Sequence, residues 1–267
     1  MKIGIIGCGL IGAKRAAAAK GHEIAWVSDL NPERAKHLAG QTGAQIASDW
    51  QALVATDVEV VIIAATHEWL APITLAAVKA GKHVLVEKPA GLDARQVTEV
   101  RDAARAAGKL VKVGFNHRFH PAFLKAREIF ESGALGAMMY IRGRYGHGGR
   151  PGMEKEWRCI PELSGGGELI DQGSHLIDLS RWFLGDLTLD YAAVPTLFWN
   201  IPVDDNCFLA LKGSKGEIAW LHATWTEWKN MFSFEITGRG GKLVIEGLGG
   251  SYGLEQLTWY RMLPGMG

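Results

Sequence analysis

A chain of 267 residues is long enough for two domains. Hydrophobic residues make up 48% and charged residues 21%, the balance of an ordinary globular protein, and no apolar run is long enough to span a bilayer. A net charge of +1 gives no reason to expect nucleic acid or an anionic membrane as partner. Cys8, Cys159 and Cys207 show neither paired nor metal-ligand spacing, so no metal is expected and a reducing compartment fits. The first expected strand starts at Lys2, which leaves no room for a signal peptide; a cytoplasmic location is expected.

In chain order, apolar runs at 3–6, 23–28, 58–65, 83–86 and 110–113 alternate with helical patterns near 10–20, 31–40, 68–80 and 93–107. Short continuous apolar strands between helices predict a parallel sheet covered on both faces. Asn31-Pro32-Glu33 has the form of a helix start, and Gly81 and Gly108 fall just past helix ends, where left-handed caps are expected. The pattern then changes. A helix is predicted at 121–132, a strand at 137–147, a glycine-rich irregular segment at 146–167 and a helix at 169–184. Strand-like runs follow at 187–200, 206–212, 216–226, 232–238 and 242–247, with turn signals between them, and predict an antiparallel meander. The expected organisation is α/β followed by α+β. A Rossmann dinucleotide-binding domain takes residues 1–118, and a domain with an open, mainly antiparallel sheet takes 119–267.

The turn Gly7-Cys8-Gly9-Leu10-Ile11-Gly12 follows a strand and opens a helix. The first glycine permits the tight turn, the second lets backbone approach a pyrophosphate, and the third lets helix pack on strand. The phosphates then meet the helix N-terminus, whose N–H groups favour anions. Asp29, seventeen residues past Gly12, stands where an acid bonds a ribose 2′-OH. It favours NAD over NADP, because like charges about 4 Å apart repel by roughly 4 kcal/mol at an effective dielectric near 20. The plainer reading of Asp29 is a cap beside Asn31, and that of Cys8 is a small turn residue.

Two further features carry chemistry. Lys88, in Glu87-Lys88-Pro89, follows the apolar run 83–86 at the carboxyl edge of the parallel sheet, where ligands sit. The bond before Pro89 is a candidate for cis. In Gly165-Gly166-Gly167-Glu168-Leu169-Ile170-Asp171-Gln172-Gly173-Ser174-His175-Leu176-Ile177-Asp178, the residues Asp171, His175 and Asp178 stand at i, i+4 and i+7 and would share one helix face. A histidine beside a carboxylate is a natural general base, and a structural cluster is the alternative. Arg118, His120, Trp157 and Arg158 are candidates for substrate contact, with His147 and Arg150 nearby; polar groups over an aromatic suit a polyol or sugar acid. Structural ion pairs are the alternative for Arg118 and Arg158, and a surface loop for His147. Thr66, His67 and Asn116 are candidates for cofactor contact. Asp204-Asp205-Asn206 reads as a turn ahead of a substrate contact. The aromatics Phe198, Trp199, Trp220, Trp225, Trp228, Phe232 and Phe234 divide between core and an oligomer interface.

Taken together, Gly7–Gly12, the run from Ala80 to Pro89, Gly114-Phe115-Asn116-His117-Arg118-Phe119-His120-Pro121, Trp157-Arg158 and the segment from Gly165 to Asp178 resemble the Gfo/Idh/MocA oxidoreductases, the family of glucose–fructose oxidoreductase and inositol dehydrogenase. The resemblance covers essentially the whole chain. It implies hydride transfer between a sugar or cyclitol carbinol and NAD, with NADP less favoured, and catalytic roles for Lys88, Asp171 and His175. Gly7, Gly9, Leu10, Ile11, Gly12, Asp29, Thr66, His67, Glu87, Lys88 and Asn116 would line the cofactor. A homodimer or homotetramer through the C-terminal sheet is implied. Where the family usually has Pro-Asn, this chain has His67-Glu68. Family members usually continue beyond the point matching Pro264-Gly265-Met266-Gly267, so a C-terminal segment is expected to be missing. Two other readings stay open: a redox-assisted glycoside hydrolase or lyase using the same lysine and histidine, and a non-enzymatic sugar or nucleotide sensor.

Overall fold

The computed structural model describes residues 1–263, and the chain end at 264–267 lies outside the described residues. The chain divides into two compact units. The first is Met1–Gly114 with Glu162–Gly165, and the second is Phe115–Pro161 with the chain from Gly166 onward.

In the first unit, β1 (Lys2–Ile6), α1 (Leu10–Ala18), β2 (Glu23–Ser28), α2 (Pro32–Thr42), β3 (Gln45–Ile46), α3 (Trp50–Val54), β4 (Val60–Ile63), α4 (His67–Lys79), β5 (His83–Val86), α5 (Ala94–Ala107) and β6 (Val111–Val113) follow in turn. The sheet is parallel throughout, in the order β3-β2-β1-β4-β5-β6. The order reverses between β1 and β4, the switch point where doubly wound folds bind dinucleotides. Alternate strand residues feed two cores: Val61 and Ile63 pack with Leu70 and Ala77, while Ile62 packs with Ile5 and Leu38. Both faces are therefore buried, which explains the unbroken apolar strands. Asn31 caps α2, its side chain accepting from the N–H of Glu33 at 3.0 Å, and Gly108 closes α5 at φ +61°. β3 and α3 were not expected; at two and five residues they are too short to show a period.

The second unit carries α6 (Pro121–Glu131), β7 (Met138–Gly146), α8 (Ser174–Leu184), β8 (Leu187–Ala193), β9 (Asn206–Gly213), β10 (Ile218–Thr224), β11 (Met231–Gly238), β12 (Gly241–Glu246) and β13 (Gln256–Arg261), while the four-residue α7 (Pro161–Ser164) lies almost wholly in the first unit. Its sheet runs β13-β12-β11-β7-β10-β9-β8, antiparallel except for the β7–β10 pair. The expected simple meander is thus corrected: β7, which precedes α8, inserts between β10 and β11. Leu176 and Leu179 of α8 pack with Phe123, Ile141 and Phe234 in one core. The approach of helix to sheet needs Gly143, where an added Cβ would lie 3.1 Å from Leu176 Cδ2.

The expected strand 187–200 ends at Ala193, and its last residues belong to a loop tied to Asp205. That carboxylate is fully buried and accepts from the N–H groups of Leu197, Phe198 and Trp199 at 2.8, 2.8 and 2.9 Å. Asp204 and Asp205 both spend their oxygens on backbone, as the turn reading requires. Of the aromatics, Trp225, Phe232 and Phe234 are core, while Phe198, Trp220 and Trp228 are exposed. Among the described residues no helix is long and apolar enough to cross a membrane.

Burial alone would raise the Asp205 pKa, but the Asn206 amide and the three backbone N–H groups outweigh it and hold the carboxyl below its ordinary value. A depressed folded pKa gives stability that is full above the unfolded value, near 4, and is lost as pH falls through the folded one. Asp205→Ala should therefore cost about 1–3 kcal/mol at pH 7 by orphaning buried donors. In thermal melts the gap to the unsubstituted protein should narrow on acidification below pH 4; a gap independent of pH would show that the charge is not what matters.

Candidate active site

In the first unit, the glycine-rich turn is built by close backbone approach. Gly7 has φ +92°, and an added Cβ there would lie 2.3 Å from the Ala64 carbonyl oxygen; one at Gly12 would lie 1.9 Å from Gly7 O. Gly9 differs, because the nearest atom to its added Cβ would be Arg34 Nη1 at 4.0 Å. Packing therefore demands Gly7 and Gly12, whereas Gly9 leaves open space over the turn. α1 starts there without a side-chain cap and without an acid in its first turn, and Leu10 is exposed. Such a helix start suits a diphosphate, so these residues fit a dinucleotide.

Asp29 stands beside this turn at the end of β2. Its Oδ2 accepts from Cys8 N–H at 2.6 Å and its Oδ1 from Asn31 N–H at 2.7 Å. It braces the turn, and the cap of α2 is Asn31 itself. Cys8 is a buried turn residue whose thiol is pushed up to about 12 by burial and by Asp29. Past β4, Thr66 Oγ1 donates to Glu68 Oε1 at 2.8 Å. His67 is buried, its Nδ1–H donating to Ser164 O at 2.8 Å, so the His-Glu departure serves the unit's own framework.

At the end of β5, Glu87 accepts from Arg15 of α1, with Nε to Oε1 at 2.6 Å in a largely buried pair. Gly114 leaves the room for that carboxylate, since an added Cβ would lie 3.0 Å from Glu87 Oε2. Lys88 follows, half-buried, and the Lys88–Pro89 bond is cis.

In the second unit, Asp204 sets the entry to the His175 helix. Its Oδ1 accepts from Gly167 N–H at 2.8 Å and its Oδ2 from Leu169 N–H at 2.7 Å, while Glu168 N–H donates to its carbonyl at 2.9 Å. The expected single helix 169–184 is corrected. A wide π turn, Leu169–Gly173, precedes α8, so Asp171 lies ahead of α8 and the simple i, i+4, i+7 face does not hold. Such turns recur at functional sites. Asp171 accepts from Arg158 Nε at 3.2 Å, and that guanidinium lies 4.7 Å from the Trp157 ring centroid. Asp178 is held by a bidentate pair from Arg118, at 2.7 and 2.6 Å. His120 Nδ1 donates to Glu255 Oε2 at 2.7 Å, and the other Glu255 oxygen accepts from Ala122 N–H at 2.7 Å. Asn116 is exposed at the start of the turn Asn116–Phe119. His147 is half-buried, with Nδ1 accepting from Gly149 N–H at 2.9 Å, and burial lowers its pKa.

His175 is buried among rings. The His117 ring stacks on it at 3.9 Å and 26°, Phe115 meets it edge-on at 5.8 Å, and Tyr145 lies at 6.3 Å. Tyr145 packs on Tyr252 with centroids 5.3 Å apart, and Gln172 Nε2 donates to the Tyr252 hydroxyl at 3.2 Å. Burial, and then Tyr252, hold the Tyr145 phenol well above its ordinary pKa. Sequence reasoning did not single out His117, Tyr145 or Tyr252. Strand parity at Tyr145 marked an inward residue, His117 stood unremarked within the segment Gly114–Pro121, and nothing marked Tyr252.

Residues 1–115 match the oxidoreductase family with an NAD-binding Rossmann fold, and residues 123–244 match the GFO/IDH/MocA C-terminal domain. The chain belongs to this family. An inositol 2-dehydrogenase of Saccharopolyspora erythraea is 34% identical over 192 residues, 69% of this chain and 54% of that protein. The levoglucosan dehydrogenase of Pseudarthrobacter phenanthrenivorans is 28% identical over 285 residues, 92% of this chain and 73% of that protein. A solved levoglucosan dehydrogenase in complex with NADH and L-sorbose superposes with a TM-score of 0.86 at 26% identity, covering 99% of this chain and 80% of that one. This chain thus spans about half the length of the inositol dehydrogenase that it matches.

Two predictions follow from the turn geometry. Gly9→Ala should melt like the unsubstituted protein yet bind NAD more weakly, whereas Gly12→Ala should lose both stability and binding; melting curves with NAD titrations separate the two. Asp29→Asn removes the charge while keeping an acceptor. It should weaken NAD about tenfold, roughly 1.4 kcal/mol, and leave NADP no weaker. Equal loss of both by calorimetry would remove Asp29 from the ribose site.

Proposed function

We propose that this protein is an NAD-dependent dehydrogenase that moves a hydride between the nicotinamide and a carbinol of a sugar, sugar derivative or cyclitol. The observation that carries this reading is His175, a buried imidazole fixed by rings at the head of α8, in a family member whose other unit holds Lys88 at the carboxyl edge of β5. The named relatives act on alcohols of the same chemical class.

The bound nicotinamide supplies the hydride acceptor. Oxidation also removes the carbinol O–H proton, and a neutral ring nitrogen of His175 takes it. Asp171 favours the resulting imidazolium, and the Lys88 ammonium donates to the oxygen as alkoxide charge develops. Trp157 and Arg158 recognise the polyol through an aromatic face and a guanidinium. Arg118 and His120, each engaged by an acid, join substrate recognition by bracing the wall around it. Gly7, Gly9, Leu10, Ile11, Gly12, Asp29, Thr66, His67, Glu87, Lys88 and Asn116 hold the cofactor. Residues 1–118 serve the cofactor and 119–267 the substrate and oligomer contacts. The exposed Ile218 and Trp220 of β10 support a homodimer or homotetramer through that sheet. Three free, buried cysteines and a nicotinamide cofactor support a cytoplasmic location.

The test is NADH fluorescence with NAD and a panel of sugars, sugar acids, inositols and aryl glycosides, with product analysis. Stoichiometric NADH with one class is expected; glycoside cleavage without net NADH would replace the proposal with redox-assisted hydrolysis. Lys88→Ala and His175→Ala should each lower kcat about 10²–10⁴-fold with NAD affinity nearly unchanged. Full turnover in His175→Ala would overturn the base assignment.

A further inference from the structure

His117 has no part in the reaction as written, yet its position beside the proposed base is closely defined. It sits in the turn Asn116–Phe119 and is 5% exposed. One face of its ring lies on His175, with centroids 3.9 Å apart and planes 26° apart. Tyr145 stands at 5.3 Å, His120 at 5.6 Å and Phe232 at 6.0 Å. The ring is therefore held from β7, from β11, from α8 and from its own turn, and it fixes the plane of the His175 imidazole.

The groups around the pair decide its charge. Tyr145 on β7 and Tyr252 in the turn Gly250–Tyr252 are both held above their ordinary pKa by burial first, so both remain neutral phenols. Arg118 is matched by Asp178, and His120 by Glu255. Glu168 and Asp171, on the segment leading into α8, make the surroundings acidic enough to act on Tyr145. Such surroundings welcome one cation. Two imidazolium rings stacked at 3.9 Å would repel, so the second proton is resisted.

We propose that His117 is a positioning residue that shares a single proton with His175, so that the two stacked imidazoles titrate as one unit. This rests on the reading of His175 as the base. The proton that leaves the carbinol oxygen goes to His175, and the neutral face of His117 steadies the cation as an aromatic face steadies any cation. At lower pH, His117 competes for the same proton, and a pair that already holds it on His117 resists the proton leaving the carbinol.

The experiment compares His117→Phe, which keeps a flat stacking ring but cannot titrate, with His117→Ala, which keeps neither property. His117→Phe should retain kcat at alkaline pH, while the acid limb of kcat/KM moves down by about half a pH unit, because one of the two sites for the blocking proton is gone. His117→Ala should lower kcat roughly tenfold with little change in KM for the polyol. Ring-nitrogen NMR titrations of the unsubstituted protein, His117→Phe and His175→Ala read the coupling directly, without reference to turnover. An acid limb and a His175 titration unmoved in His117→Phe would overturn the inference, even if His117→Ala failed to fold. A titration that moves while His175→Ala keeps full turnover would instead overturn the base assignment and leave the coupled pair standing.

Discussion

A β-carbon at Gly167 would lie 1.9 Å from the Asp204 carbonyl oxygen, and one at Gly12 the same distance from that of Gly7. Contact of main chain on main chain, possible only without a side chain, is the constraint from which the candidate residues of each unit are positioned. In the first unit it folds the turn tightly enough for α1 to begin directly over the end of β1. In the second it brings Asp204 against the segment that leads into α8. Asp204 then accepts from three backbone N–H donors, those of Gly167, Glu168 and Leu169, that the wide turn would otherwise leave open. The π turn that places Asp171 is therefore supported from outside, by a residue more than thirty positions later in the chain.

The charges around the site follow a second constraint. A carboxylate that leaves water needs partners. Glu87 takes Arg15, Asp178 takes Arg118, and Glu255 takes His120 together with the N–H of Ala122. In each pair the acid is less exposed than its partner, so the basic residue serves the acid's burial. Several basic residues that invite a substrate role on chemical type alone are thus committed to the framework of their own unit. Arg158 is the exception: it is more exposed, lies over an aromatic ring, and touches Asp171 itself.

How much was legible in the sequence divides along the same line. The parallel strands were legible because burial on both faces forces unbroken apolar runs, and the glycine turn because steric exclusion at Gly7 and Gly12 allows no other residue. The helix caps at Asn31 and Gly108 were legible because capping is local. β3, α3 and the exposed edge strand β13 were not, since they are too short or too wet to impose a period. The π turn looked like ordinary helix, because its spacing differs from α by under one residue per turn. The insertion of β7 between β10 and β11 depends on a pairing between distant segments, which no local pattern records. The same holds for His117: its identity was plain, but its stacking partner lies 58 positions away.

The second unit's sheet adds one more step. Along β10, Ala219 and Leu221 face the helices and are buried, while Ile218 and Trp220 point the other way and are about half exposed. On β11 and its neighbours, Glu235 is paired with Arg142 and Lys242. Burial would raise the Glu235 pKa, but those two cations hold it down. Apolar side chains beside a paired, partly buried acid form the mixture of dry centre and polar rim found where proteins associate. Strand parity thus sorts that sheet: the residues that alternate inward are apolar and buried, and those that alternate outward set Trp220 beside paired charges.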